Sequence, residues 1–460
     1  MRQLRILLHF EWLNFRTERS LIAFCILMLL CGFYGIFSGH HEIEKQRNKL
    51  AGLEQIYQNN ITEMAEKFPD SADAGDIGYY HSAFAKNVPD NWAALAIGQR
   101  DVSPAYLKIR LLAVQNQLYN SENTNPLKLA TGSFDLSFVM VFLLPLFIIA
   151  ISFNLLSAEK EQGTLRLLLA QPLRLSTLFF AKLLFRFMII AAIVLILSFS
   201  ALWWTGAQVD LRAFYWISGV LLYALFWLGV SCAIAAMQRS SAFNAISLLG
   251  VWLLLAVIAP VLINAATDIS KPVQEGLELT MLQREVVHGG WDKPKTETMQ
   301  QFFKYYPQYK NTGSVEGAFR WKWYYAFQEL GDRSVEALYQ AYRQKMLDRQ
   351  TLTSTLSVVS PPAKLQEMLN GIAGTDLQQH LDFIAGTKTY HEELKNFYYP
   401  YLYQDRAFQH ADFSKEPQYT FAAVPDYAKA NAGLLVLLTA NAVALLLTLI
   451  IFKSNTQELK

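Results

Sequence analysis

Apolar residues gather along this chain in windows of about 20 that are nearly free of charge, and a window of that length crosses a bilayer as a helix. Six windows stand out, at residues 21–38, 137–157, 178–204, 214–237, 242–266 and 431–452. They leave two long polar connections, 39–136 and 267–430, a shorter one at 158–177 and a tail at 453–460. The pattern predicts an all-α integral membrane protein with six transmembrane helices. The two long insertions are expected to build one large, mostly helical extracytoplasmic domain.

Residues 1–20 read as a helix lying in the membrane interface. Leu4, Leu8, Trp12 and Phe15 share one face, while Arg2, Arg5, His9 and Arg16 lie elsewhere. The first apolar window is too long for a signal peptide and follows an amphipathic stretch, so an uncleaved span is expected.

The first insertion opens with a helical run at 40–68, followed by Pro, Asp and Gly punctuation at 69–78. A second helix is expected from Tyr106 to Leu118, then a loop at 120–125. In the second insertion, Ser334 is placed to cap a helix carrying Val335, Leu338, Tyr339, Tyr342 and Met346. Short helices at 365–372 and 377–384 follow the stop signal Pro361-Pro362. Strand-like alternation is scarce, and no internal repeat is present. The insertions together exceed half of the chain, enough for one sizeable core.

The overall hydrophobic fraction, 53%, is only modestly above a soluble average, because spans and insertions cancel. Charge is more informative. With the N-terminus in the cytoplasm, the inner segments and the adjoining span start with Lys182 and Arg186 hold twelve basic residues against five acidic ones. The long insertions are net acidic. This asymmetry predicts cytoplasmic termini and an extracytoplasmic domain. The basic charge reports topology, and no nucleic-acid partner is expected. Cys25, Cys31 and Cys232 all fall in apolar windows, so no disulfide staples the insertions.

The spans carry amides (Asn154, Asn244, Asn264, Asn441) and few charges, with Asp135 at the edge of the second. That argues against an ion-driven mechanism. Pro145 and Pro260 are expected to be accommodated by helix packing rather than to act as gates. Aromatic residues crowd the second insertion and read as core and interface. His40-His41 with Glu42 or Glu44 offers metal-ligand chemistry, but adjacent histidines rarely suffice, and no metal is expected. The pair Gly-Lys never occurs, which excludes the usual phosphate loop. H-E-x-x-H and G-x-S-x-G are absent as well.

The connection between the second and third spans is the most unusual stretch. Charges cluster at Glu159, Lys160 and Glu161, Gly163-Thr164 breaks the run, and an apolar-rich piece follows to Pro172. Thr164 is expected to cap a short helix over 165–170. Leu165, Leu168 and Leu169 form its apolar face, with Arg166 on another side. Such a face either docks in a partner's groove or lies in the lipid interface.

The run E-x-E-x-G-T-L, then leucines, a proline, a basic residue and Ala181-Lys182 opening the next span, resembles type-2 ABC exporter permeases. The large insertions resemble a bacterial branch with a big periplasmic domain and point away from ordinary drug or polysaccharide exporters. The resemblance implies that the loop is a coupling helix fitting a cleft in a separate ATPase. Glu159, Glu161, Gly163, Thr164, Leu165, Leu168, Leu169 and Pro172 are its motif positions. The implied partners are an ABC ATPase carrying ATP and Mg, a second permease copy or paralogue, and membrane lipid. No catalytic residue or cofactor is expected on this chain. The implied location is the bacterial inner membrane. The expected function is that of a permease subunit coupling ATP hydrolysis to export. The alternatives are mechanical action on a periplasmic partner, or a receptor or enzyme site in the outer domain.

Overall fold

The computed structural model describes residues 2–119, 132–155, 157–164 and 175–457. Among these residues, six helices are long and apolar enough to cross a membrane: Arg19–Lys67, Leu136–Glu161, Thr177–Thr205, Leu211–Ala235, Ser241–Ser270 and Tyr427–Ser454. We call these the first to sixth spans. The protein is an all-α membrane protein with very little sheet. An amphipathic helix, α1 (Arg2–Thr17), precedes the first span. The end of the bundle where the first span begins and the sixth ends is the terminal face. The opposite end is the domain face.

The first span runs unbroken for 49 residues. At 1.5 Å per residue this is about 70 Å, more than twice the ~30 Å hydrocarbon thickness. Its second half therefore projects as a mast, with Leu50, Leu53, Tyr57 and Met64 buried against the domain. Gly32, Gly35 and Gly39 mark one face of its membrane half. Gly35 lies under the Asp135 carbonyl, and a Cβ at Gly39 would stand 2.0 Å from the Ala94 carbonyl oxygen. Small residues here let backbones approach closely.

The second and fifth spans each contain a π-helical turn, Val139–Leu143 and Leu254–Ile258, just before Pro145 and Pro260. Proline has no N–H and its ring clashes with the carbonyl one turn back, so a wider turn relieves the clash. The carbonyls of these turns find side-chain donors. Tyr223 Oη donates to Val141 O at 2.7 Å, Trp252 Nε1 to Phe142 O at 3.3 Å and Ser360 Oγ to Leu255 O at 2.7 Å.

The two long connections fold into one body. The first supplies α2 (Ala74–Tyr80), β1 (Ala83–Val88), β2 (Tyr106–Ile109) and α3 (Val114–Tyr119). The second supplies α4 (Glu275–Gly289), α5 (Lys295–Tyr305), α6 (Trp321–Ser334), α7 (Glu336–Leu356), α8 (Pro361–Ala373), α9 (Leu377–Tyr403) and β3 (Tyr419–Ala422). The sheet order is β2-β1-β3, with β1 antiparallel to β2 and parallel to β3, so one sheet stitches both connections. Glu416 adds a buried polar knot, meeting His81 Nε2 at 2.9 Å and accepting from Tyr398 Oη at 2.8 Å and from Tyr57 Oη on the mast. Aromatic core packing is dense around Phe302, whose ring stacks on Tyr403 and Tyr306 at 4.7 and 4.8 Å.

Three local expectations change, the simplest being that the short helix expected at 377–384 runs on to Tyr403 as α9. The helix expected from Tyr106 to Leu118 is split. Leu107 and Ile109 alternate with exposed Tyr106 and Lys108, a period of two that makes β2, and helix resumes only at Val114. Ser334 does not cap α7. It ends α6, and its Oγ donates back to Gly331 O at 2.7 Å. The 120–125 loop lies outside the described residues.

Helix α8, read from sequence as part of the extramembrane connection, is seated in the bundle. Leu365, Met368, Leu369 and Ile372 are buried with Trp216 and Val220 of the fourth span and with Trp92. Met368 presses on Gly219 and Gly433, where any side chain would collide. Asp376, capping α9, pairs with Lys429 of the sixth span, and Thr375 Oγ1 donates to Ala96 O at 2.8 Å.

Gly39→Ala is expected to lower stability by roughly 1–3 kcal/mol, because the backbone carbonyl it meets cannot move aside cheaply. Gly52→Ala, with nothing within 4 Å, should instead stabilise the mast by about 0.5–1 kcal/mol. Thermal unfolding of the purified protein separates the two.

Asp332 supplies a pH test. Its carboxylate accepts from Val114 N at 2.6 Å and Gln115 N at 3.2 Å, capping α3. Burial pushes its pKa up from 3.8 to about 7 against those donors. Folding thus takes up a proton between these values. This stabilising contribution is complete below pH 3.8 and is lost as pH rises through 7. Asp332→Asn should flatten the decline in melting temperature from pH 5 to 7.5. An unchanged slope would remove Asp332 as its source.

Candidate functional site

The loop singled out by sequence sits on the terminal face. The second span ends in the helical turn Ser157–Glu161. Gly163 follows at φ +72°, the left-handed geometry that stops a helix and favours glycine, and a Cβ there would meet open space. Thr164 Oγ1 donates to Glu159 O at 3.3 Å, so it closes the preceding turn. Leu165, Leu168, Leu169 and Pro172 lie outside the described residues, as does the short helix expected at 165–170.

The described part of the loop is tied down on three sides. Glu159 pairs with Lys182 of the third span, whose Nζ also lies 3.9 Å from Glu11 of α1. Glu161 accepts from Ser241 N at 2.7 Å and Ser241 Oγ at 2.9 Å. A carboxylate placed there satisfies free N–H groups and meets the positive end of the fifth span's dipole. Lys160 Nζ donates to Gln238 O at 2.9 Å, and Ser157 Oγ lies 2.7 Å from Ser241 Oγ. The two acids of the E-x-E run thus hold different spans, the third and the fifth.

Helix α1 belongs to the same assembly. Phe15 meets Phe185 edge-on at 5.9 Å, and Arg186, one turn beyond Lys182, feels both Glu11 and Glu18. Glu11 is buried, whereas Ile6, Phe10, Trp12 and Leu13 are exposed. The helix grips the bundle through one face and presents a second apolar stripe outward, as an interfacial helix in lipid does. Lys182 and Glu159 both stand out in the sequence, but their pairing, and that of Lys182 with Glu11, spans 23 and 171 positions and depends on the fold. Ser240 and Ser241 ahead of an apolar run were a legible capping signal that went unused.

Residues 105–266 match the family model for the ABC-2 type transporter, and residues 277–422 match a domain of unknown function, DUF3526. The chain is thus similar to an ABC-2 type transporter membrane region followed by a DUF3526 domain, consistent with an ABC-2 permease carrying an additional domain. No curated protein and no solved structure matches it significantly. The ABC-2 match covers the second to fifth spans and the Glu159–Thr164 turn. The DUF3526 match includes α8, the helix seated in the bundle.

Two other polar clusters among the described residues have buried centres. His81 and Glu416 are 3% and 1% exposed, and Glu329 lies buried between Lys395 and Arg333. They tie elements of the domain together. His41 is exposed and stacks on Phe37, and no group of three metal-ligating side chains gathers among the described residues.

Lys182→Met removes the cation shared by Glu159 and Glu11 and should cost about 1–3 kcal/mol, as leaving a partly buried carboxylate unpaired does. Combining it with Glu159→Gln should cost less than the sum of the single changes, read from thermal melts of the four proteins. Additive losses would mean that the two side chains do not interact.

Proposed function

We propose that this chain is the permease subunit of an exporter powered by a separate ABC ATPase, and that the Glu159–Pro172 element is where the ATPase grips it. The observation that carries this reading is the double anchoring of the Glu159–Thr164 turn to the third and fifth spans. A push on that turn moves two spans together. The ABC-2 family match supports an ATPase partner. ATP and Mg belong to that partner, and two permease copies would face two ATPases. The terminal face is cytoplasmic in this reading, and the DUF3526 domain stands outside the inner membrane.

Movement then continues through the fifth span to its π turn, where Ser360 holds Leu255 O, and through α8 into the domain. The seating of α8 favours a second reading, in which the stroke moves the domain against an extracytoplasmic partner without carrying cargo through the bundle. ATP-driven uptake of a candidate cargo into reconstituted vesicles separates the two.

The coupling role is tested with Gly163→Val, since a β-branched residue resists the φ +72° geometry by about 1–2 kcal/mol while meeting no neighbour. Co-purified with its ATPase and reconstituted, the variant should insert normally but lose most of the complex and most of the stimulated ATP hydrolysis. Survival of both at wild-type level would defeat the proposal.

A further inference from the structure

Helix α1 turns by about 100° per residue, so its side chains sort into stripes. Leu4, Leu8, Glu11 and Phe15 make the stripe that grips the bundle, and all four are buried or half-buried. Beside it, Arg5, His9, Trp12 and Arg16 recur at the same i, i+4, i+7, i+11 spacing, and all four are exposed. Next round the helix come Ile6, Phe10 and Leu13, exposed as well. The outward side of α1 is therefore half basic and half apolar, and no acid lies on either stripe. Among the described residues, Arg5 and Arg16 have no carboxylate partner.

Such a side fits a surface that offers acyl chains next to negative charge. Ile6, Phe10 and Leu13 can bury among the chains, the Trp12 ring suits the head-group level, and the two guanidiniums reach phosphates. In a zwitterionic lipid the head group's own cation offsets its phosphate. An anionic lipid leaves the surface net negative, which is worth about fivefold in binding per basic side chain. The acidic face of a soluble protein would meet the arginines but leave the apolar stripe uncovered.

The inner side of α1 gives such binding a consequence. Glu11 lies 3.9 Å from Lys182 Nζ, the cation that also holds Glu159. Arg186, one turn on, feels both Glu11 and Glu18, and Phe15 packs edge-on against Phe185. Whatever holds the outward side of α1 in place also holds Glu11 against Lys182. We propose that α1 binds anionic phospholipid through Arg5 and Arg16, and that the bound lipid braces Lys182 through Glu11. This role needs no ATPase and stands apart from the coupling reading.

The test uses the full-length protein in nanodiscs of phosphatidylcholine containing phosphatidylglycerol, with lipid retained on release read by mass spectrometry. The preference for phosphatidylglycerol should be roughly 25-fold greater in the wild-type protein than in Arg5→Gln/Arg16→Gln, two side chains at about fivefold each. It should shrink as salt is raised. Arg284→Gln, an exposed arginine of α4, should leave it unchanged. Phosphatidylglycerol should also raise the melting temperature, and Glu11→Gln should abolish that rise while keeping the lipid. Equal preference in the wild type and the double variant overturns the proposal, and so does a rise that persists in Glu11→Gln. Photo-cross-linking from position 5 or 16 to a co-purifying ATPase, with no lipid adduct, would overturn it too by making the basic stripe a protein contact.

Discussion

A carbonyl freed by proline inside an apolar slab must find a donor, because no water is there to supply one. Leaving it bare costs several kcal/mol. Pro145 and Pro260 impose this demand on the second and fifth spans, and the chain answers with π turns and donors from elsewhere in the fold: Tyr223, Trp252 and Ser360. The first two come from within the bundle. Ser360 comes from the domain and is also the N-cap of α8, accepting from Ala363 N at 3.2 Å. One hydroxyl therefore serves a broken helix in the membrane and starts a helix of the domain. The two bodies cannot be pulled apart without orphaning both groups.

That constraint gives the architecture its mechanical character. At the terminal face, Glu159 and Glu161 fasten one short turn to the third and fifth spans. Midway along the fifth span, the π turn is handed to Ser360, and α8 lies wedged against Gly219 and Gly433. Between these anchors runs the helix Ser241–Leu253, the first half of a 30-residue span that is interrupted at the π turn. A helix held at its start and at its π turn moves as one piece between the terminal face and the middle of the bundle.

Much of this was legible in the sequence, and the boundary is physical. Charge-free windows fix six spans because lipid tolerates little else. The loop acids were found because charges between spans are conspicuous, but Lys182 and Ser241 as their partners depend on tertiary geometry. Helix α8 was misplaced for a reason of length. Leu365, Met368, Leu369 and Ile372 recur at helical spacing, but α8, at 13 residues, is too short to register as a span, and only the glycines opposite it reveal its seat. The sheet was missed because four to six residues of alternation per strand barely rise above loop composition. The prolines announced irregularity in the spans, but not that its repair would join membrane to domain.

The most direct measurement places a photo-cross-linking side chain at position 163, where open space surrounds the glycine. It is made in the full chain, co-expressed with its ATPase in native membranes. Illumination should yield a covalent adduct with the ATPase subunit, changed in yield when ATP is trapped. Adducts with lipid or with this chain alone, and none with an ATPase that otherwise co-purifies, would contradict the role assigned to the Glu159–Pro172 element.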